Sequence, residues 1–204
     1  ISHYTAFAIN DHDYKLIPTT DIRYLHHMSA AELALPVGAK VLANIMVGSN
    51  QATSAGGKSS PLRTSEDGIR FHQLRALSKA LIIGGNTYRR EPYQKAQLPI
   101  YVASKTLPPV HNDKLHIASL PPKELISLAQ ESVGTPVLIE GGVNFLNSLI
   151  QEKAIDALFI TRVPNLGDGD YWNEELLQNN FELFRTEQIS ASQFEIWVPK
   201  PTEI

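Results

Sequence analysis

Short, almost wholly apolar runs alternate with stretches of helical spacing from residue 40 onward, and this alternation restricts the fold of the 204-residue chain more than any other feature. The runs are residues 41–47 (VLANIMV), 80–83 (ALII), 100–103 (IYVA), 137–139 (VLI) and 157–163 (ALFITRV). A strand with one wet face alternates apolar and polar side chains, whereas a continuous apolar run of this length suits a strand covered on both faces. Between the runs, residues 64–78, 123–131 and 144–152 carry helix patterns. Thr64 suits an N-cap, with Asp67 three residues on and acidic groups at the positive helix end. Ile69, His72 and Ala76 fall at helical spacing and are expected on the inner side of that helix. Leu125, Leu128 and Ala129 share a face of the second helix, and Phe145, Leu146 and Leu149 of the third. Strands alternating with helices predict an α/β fold, a mainly parallel central sheet with helices on both faces. Two alternating segments, 181–189 and 194–198, flank a Ser-Ala-Ser turn and add antiparallel C-terminal strands. Residues 40–204 are expected to form one domain. Residues 1–39 read as an irregular N-terminal extension packed on it, with a short helix over 29–35 closed by Pro36.

Composition closes several chemical routes. The chain has no cysteine, which excludes disulfides, thiolate catalysis and cysteine-ligated zinc. Its seven histidines form no H-x-x-x-H pattern, so no metal is expected. A formal charge of −3, from 18 Lys+Arg against 21 Asp+Glu, gives no electrostatic case for nucleic acid or an anionic membrane as partner. No apolar run approaches the roughly 20 residues of a membrane span. Ile1-Ser2-His3-Tyr4 lacks the basic start of a signal peptide, so the cytoplasm is the expected location.

In open α/β sheets, ligands bind at the carboxyl ends of the strands. Two glycine clusters stand there: Gly84-Gly85-Asn86-Thr87 after one apolar run, and Glu140-Gly141-Gly142-Val143-Asn144 after another, the second opening a helix. Glycine lets the backbone approach a ligand closely, and a helix N-terminus offers free N–H groups to a phosphate. Either pair alone is more often just a tight turn. Neither matches the G-x-G-x-x-G fingerprint or a P-loop. Their occurrence together, about one βαβ unit apart, points to a dinucleotide.

Three longer stretches, FHQLRALSKALIIGGNTYRREPY (residues 71–93), VLIEGGVNFLNSLI (137–150) and TRVPNLGDG (161–169), carry a more specific pattern. It consists of H-x-L-R-A at His72 to Ala76, G-x-x-T at Gly84 to Thr87, an acidic-Pro pair at Glu91-Pro92, E-G-G at Glu140 to Gly142, and P-x-L-G-x-G at Pro164 to Gly169. In this order the motifs resemble the reductase domain of the riboflavin pathway, over about residues 41–198. The resemblance implies a dihydrofolate-reductase-like three-layer fold, NADPH as hydride donor and a homodimer. It also implies the activity of 5-amino-6-(5-phosphoribosylamino)uracil reductase, with hydride going to the ribosyl carbon of a small-molecule substrate. A zinc deaminase often accompanies such reductases, and this chain lacks the cysteines for one.

On this reading Gly84, Gly85, Asn86, Thr87, Arg89, Gly141, Gly142, Val143 and Asn144 hold the cofactor, with Arg89-Arg90 facing its 2′-phosphate. Glu140, at a strand end beside a glycine turn, is the expected catalytic acid for the imine-like carbon, with a structural role holding loop N–H groups as the alternative. Asn44, Ser49, Arg63, Thr64, Glu91 and Glu140 are the substrate-side candidates. The family's first strand runs into S-x-D-G. Set against residues 47–50, this places Ser49 at the aspartate and Asn50 at the glycine, while Gly68 stands where an arginine usually opens the next helix. Arg63, Arg70 and Lys58 are the cations that could replace it. Tyr171 and Trp172 are expected at a dimer contact or over the pocket. These departures keep two alternatives open: a dihydrofolate-reductase-like enzyme of another small substrate, or a non-catalytic NADP-binding protein.

Overall fold

The computed structural model describes residues 4–8, 14–18, 35–91, 93 and 96–201. Strand β1 (Tyr4–Ala8) pairs antiparallel with β2 (Tyr14–Pro18), so the stretch expected to be irregular contains a hairpin. The expected helix over 29–35 and the pair His26-His27 lie outside the described residues, apart from Leu35.

The main sheet is nine-stranded, built from β3 (Val41–Gly48), β5 (Ala80–Gly84), β6 (Ile100–Ala103), β7 (Val110–His111), β8 (Leu115–Ala118), β9 (Val137–Glu140), β10 (Ala157–Val163), β12 (Phe181–Ile189) and β13 (Ser192–Pro199). Its order is β12-β13-β10-β3-β9-β5-β6-β8-β7. From β10 to β8 every neighbouring pair is parallel, while β12, β13 and β7 join antiparallel at the margins. The apolar runs occupy the centre, as double-sided burial requires. Two more short strands, β4 (Ala52–Ser54) and β11 (Gly169–Tyr171), pair with each other apart from the main sheet.

The pleat divides each run between two cores. Val41, Ala43, Ile45 and Val47 face the layer of α3 (Pro122–Val133), α4 (Val143–Gln151) and α5 (Glu174–Asn180). Leu42, Leu81, Ile83, Leu138 and Phe159 pack with Leu74 of α1 (Ser65–Leu77) on the other side. The short helix α2 (Gly85–Arg90) follows β5 directly. Helices on both faces make three layers, and the antiparallel C-terminal pair closes one side. None of the described helices is long and apolar enough to cross a membrane.

Helix α1 starts where its cap predicts, with the Thr64 hydroxyl accepting from the Asp67 N–H. Its inner face is the reverse of the expected one. Asp67, Arg70 and Leu74 are buried, whereas Ile69, His72 and Ala76 are exposed. Of its buried stripe, Asp67 lines a cleft, Arg70 lies over the Phe159 and Phe194 rings, and Leu74 packs in the apolar core. Trp172 is buried in the α5-side core, while Tyr171 is exposed. The Gly/Ser-rich segment after β3 contains β4 and leads into a 3₁₀ turn at Ser60–Leu62.

Candidate active site

Strands β5 and β9 are parallel neighbours, so the segments leaving their carboxyl ends emerge side by side. Gly84 caps α2 and Gly142 caps α4, neither with a side-chain hydrogen bond. Gly141 and Gly142 have φ of +73° and +77°, in the left-handed region that disfavours a Cβ. A Cβ on Gly141 would stand 2.7 Å from Thr87 Cγ2, and one on Gly142 would stand 2.9 Å from Thr87 Oγ1. The two glycine turns therefore touch through Thr87. A third strand end joins them, since a Cβ on Gly85 would stand 2.7 Å from Ser104 Oγ, just past β6. Ser104, Lys105 and Thr106 line the same cleft and are absent from the sequence-based candidates; a Ser-Lys-Thr run after the short strand IYVA is the available hint.

The cleft holds about 590 Å³, within the range of small-molecule sites. It is lined by Gly84, Gly85, Asn86, Thr87 and Arg89 from the first turn and by Glu140, Gly141, Gly142, Val143 and Asn144 from the second. Asn44, Arg63 and Glu91 also line it, together with Lys58, Asp67 and Phe71. Ser49 and Thr64 do not. The Ser49 hydroxyl donates to the Pro164 carbonyl, and Thr64 is engaged by its helix and by Ser192 Oγ at 3.1 Å.

The turn residue with positive φ after β3 is Gln51, at +67°. Asn50 ties the turn to the late glycine loop, its Nδ2 donating to the Gly167 carbonyl at 2.8 Å and its Oδ1 accepting from the Gly167 N–H at 3.2 Å.

Around the rim, Arg89 donates to Asn86 Oδ1 at 2.5 Å and to Thr106 Oγ1 at 3.2 Å, which brings it onto the β6 end. Arg90 turns the other way, 3.6 Å from Asp170 of β11. Glu91 Oε1 accepts from the Ser59 N–H at 2.9 Å and from its hydroxyl at 3.0 Å, fixing the loop that carries Lys58.

On the floor, Glu140 is 3% exposed and both its oxygens are occupied. Arg75 Nε and Nη2 each donate to it at 2.7 Å, and the Tyr93 hydroxyl donates to Oε2 at 3.2 Å. Burial, reinforced by the Glu140 charge, pushes the Tyr93 phenol well above its ordinary value. The arginine of H-x-L-R-A and the glutamate of E-G-G are thus two ends of one bidentate pair, a link that neither motif discloses alone. Among the described residues the Glu140 carboxylate meets no loop N–H of the kind expected of its structural role; its partners are side chains.

A second carboxylate, Asp67, joins the site although its sequence context marks it only as part of a helix cap. Asp67 is 4% exposed, lines the cleft, and has Arg63 Nε at 3.6 Å from Oδ2. Burial raises its pKa, opposed by the approaching Thr161 hydroxyl and by the Arg63 and Arg70 charges. The Thr161 hydroxyl comes near without closing a well-formed hydrogen bond. Asn44 Oδ1 is a buried acceptor lacking a protein partner, on the same β3 face as Leu42. Arg63 crosses Gly68, its Cδ 3.8 Å from where a Cβ would stand, and its guanidinium lies 4.6 Å from the Phe71 ring centre. Arg70 is buried behind Asp67 and does not line the cleft.

A three-layer α/β domain with a cleft at the carboxyl ends of its parallel strands has the dihydrofolate-reductase-like fold. The chain belongs to the RibD C-terminal domain family, whose model matches residues 50–192. Similar solved structures agree on the fold. A pyrimidine reductase-like protein from Corynebacterium diphtheriae has a TM-score of 0.65 at 16% identity, with 86% of this chain and 99% of that one covered. Dihydrofolate reductase from Enterococcus faecalis, solved with NADP(H) and RAB-propyl, scores 0.61 at 16% identity, covering 79% and 96%. A protein from Shewanella sp. PV-4 described as belonging to riboflavin biosynthesis scores 0.59 at 18% identity, covering 79% and 99%. No curated protein matches the sequence significantly.

Proposed function

We propose that the protein is an NADPH-dependent reductase acting on a ribosylaminopyrimidine phosphate or a close relative. One observation carries this reading: the two bare glycine turns meet at Thr87 in a cleft that Asp67 and Asn44 also line. Gly141 and Gly142 let the second turn close onto Thr87, and the uncapped N–H groups of Val143 and Asn144 that open the helix behind them suit a pyrophosphate. Gly84, Gly85, Asn86 and Thr87 form the facing wall. Arg89, with Lys105 and Thr106 beside it, receives a 2′-phosphate, which favours NADPH over NADH. Arg90 is released from that role by its pairing with Asp170. NADPH, when bound, supplies the hydride.

Asp67, rather than Glu140, handles the proton. Both Glu140 oxygens already accept hydrogen bonds, so its work is to hold the floor through Arg75 and Tyr93. Asp67 faces the cleft, and burial holds its proton more tightly than an ordinary carboxyl does. Arg63, reaching over Gly68, and Lys58 replace the missing arginine as the seat for the substrate's anionic end. Asn44 accepts from a substrate N–H. Ser49 and Thr64 serve the scaffold.

Titration with NADPH and with NADH, followed by cofactor fluorescence, tests the binding half. Addition of the ribosylaminopyrimidine phosphate, followed by nicotinamide absorbance, tests the chemistry. NADPH binding followed by substrate-dependent oxidation is the expected result, and failure to bind NADPH overturns the reading. Two buried acceptors also favour a second reading, a reductase of another N–H-rich heterocycle, for which dihydropterin is the companion probe. Binding with neither substrate oxidising the cofactor leaves a non-catalytic NADP-binding protein. The reading includes a homodimer and a cytoplasmic reaction on soluble metabolites.

A further inference from the structure

Arg70 is 6% exposed and lies outside the cleft lining, which removes it from the cations that could touch a ligand. Its guanidinium sits over Phe159 at 5.2 Å and Phe194 at 5.0 Å, and Nη2 donates to the Glu195 carbonyl at 3.1 Å. Nε is buried without a partner, and among the described residues no carboxylate stands within ion-pair distance. Slots walled by two phenyl rings are filled more cheaply by methionine or leucine than by a charge, because desolvating a cation is costly. Asp67 lies on the same helix one turn away, buried and facing the cleft.

We propose that Arg70 is a positioning residue that sets the proton affinity of Asp67 from behind, as a fixed buried cation out of reach of solvent and ligand. Arg63 cannot do this steadily, because it is 29% exposed and lies in the ligand's path. The groups facing this pair come from several elements. Arg63 and the Thr161 hydroxyl face Asp67, while Glu187 and Arg185 of β12 and Glu195 of β13 act on Arg70. The Glu195 carboxylate is itself held by Arg162 and the Trp197 indole. Burial lowers the Arg70 pKa to about 10, which leaves it cationic at neutral pH.

The inference rests on the proposed role of Asp67, and the two fail separately. Carbon-detected NMR titration of the Asp67 carboxyl in the full chain, assigned with Asp67→Asn, is the measurement. Arg70→Met is expected to raise the Asp67 pKa by about one unit, a tenfold tighter hold on its proton, while Arg70→Lys leaves it near the wild-type value. NADPH affinity stays unchanged in both. A folded Arg70→Met protein with an unmoved Asp67 titration overturns the inference, as does an equal shift in Arg70→Lys. Should Arg70→Met not fold, Arg70→Gln keeps an N–H for the Glu195 carbonyl and replaces it in the same titration: a raised Asp67 pKa supports the coupling, and an unmoved one overturns it. Full turnover in Asp67→Asn would instead remove the proton-handling role while leaving the electrostatic coupling measurable.

Discussion

At the scale of single residues, the cleft contains two buried carboxylates in opposite situations. Glu140 is fully subscribed by Arg75 and Tyr93, while Asp67 has a 3.6 Å contact with Arg63 and the Thr161 hydroxyl nearby. Removing one partner of a buried pair strands the other, so Arg75→Met is expected to cost about 3 kcal/mol in urea unfolding. Arg75→Lys recovers only part of this, because a point charge cannot reproduce the two-pronged contact. Asp67→Asn is expected to slow turnover by at least about a hundredfold and yet stabilise the protein at neutral pH. The sign follows from burial raising the folded pKa above 3.8. Between that ordinary value and the raised one, the folded state binds more protons than the unfolded state. The stability this group contributes is present below the ordinary value and is lost as pH rises through the folded one. Stability curves from about pH 4 to about pH 8 should therefore fall more steeply for wild type than for Asp67→Asn. Parallel curves would mean that Asp67 does not hold its proton.

At the scale of elements, the contact between the two glycine turns makes a sharp prediction. A valine at 141 would plug the phosphate seat, but the φ of +73° and the 2.7 Å approach to Thr87 Cγ2 mean that it would damage the fold as well. Gly141→Ala is the cleaner change, expected to cost about 1–3 kcal/mol and to weaken NADPH binding. Thr87→Ser deletes the clashing methyl, so in the double variant part of the loss should return, read as a positive coupling in a double-mutant cycle. Strict additivity would show that the turns do not press on each other. The same scale explains what can be read from sequence. The central strands are visible because both faces are buried and the runs are almost wholly apolar. The glycine turns are visible because they interrupt those runs. Strands β4, β7 and β11 are hidden because two- or three-residue strands exist only through pairing; β4 and β11 are brought together from more than a hundred residues apart. The inner face of α1 is misread from its apolar spacing because Asp67, in the cleft, and Arg70, against Phe159 and Phe194, are buried in place of Ile69 and Ala76. From sequence, Asp67 is accordingly legible only as a residue of the cap.

At the scale of the whole molecule, the sheet has two margins of unequal character. One ends in the two-residue strand β7, too short to template another chain. The other ends in β12, nine residues long, paired on one side only by β13. Long free edges invite pairing, and they are commonly blunted by charges and bulges. Strand β12 has both, with Glu182, Arg185 and Glu187 along it and a register shift between Leu183 and Arg185. Yet Leu183 and Phe184 are 46% and 51% exposed at that shift, two adjacent large apolar side chains offered to solvent. The proposed homodimer would cover this patch. Phe184→Asp places a charge at the centre of that contact without touching the cleft, whose glycine turns belong to β5 and β9 several strands away. Wild type is expected to run as a dimer in size exclusion with light scattering, and Phe184→Asp as a monomer that still binds NADPH with unchanged affinity. A monomeric wild type would remove the homodimer altogether. A variant that remains dimeric would move the contact elsewhere on the surface, and loss of NADPH binding in a folded monomer would mean that the second copy helps shape the cleft.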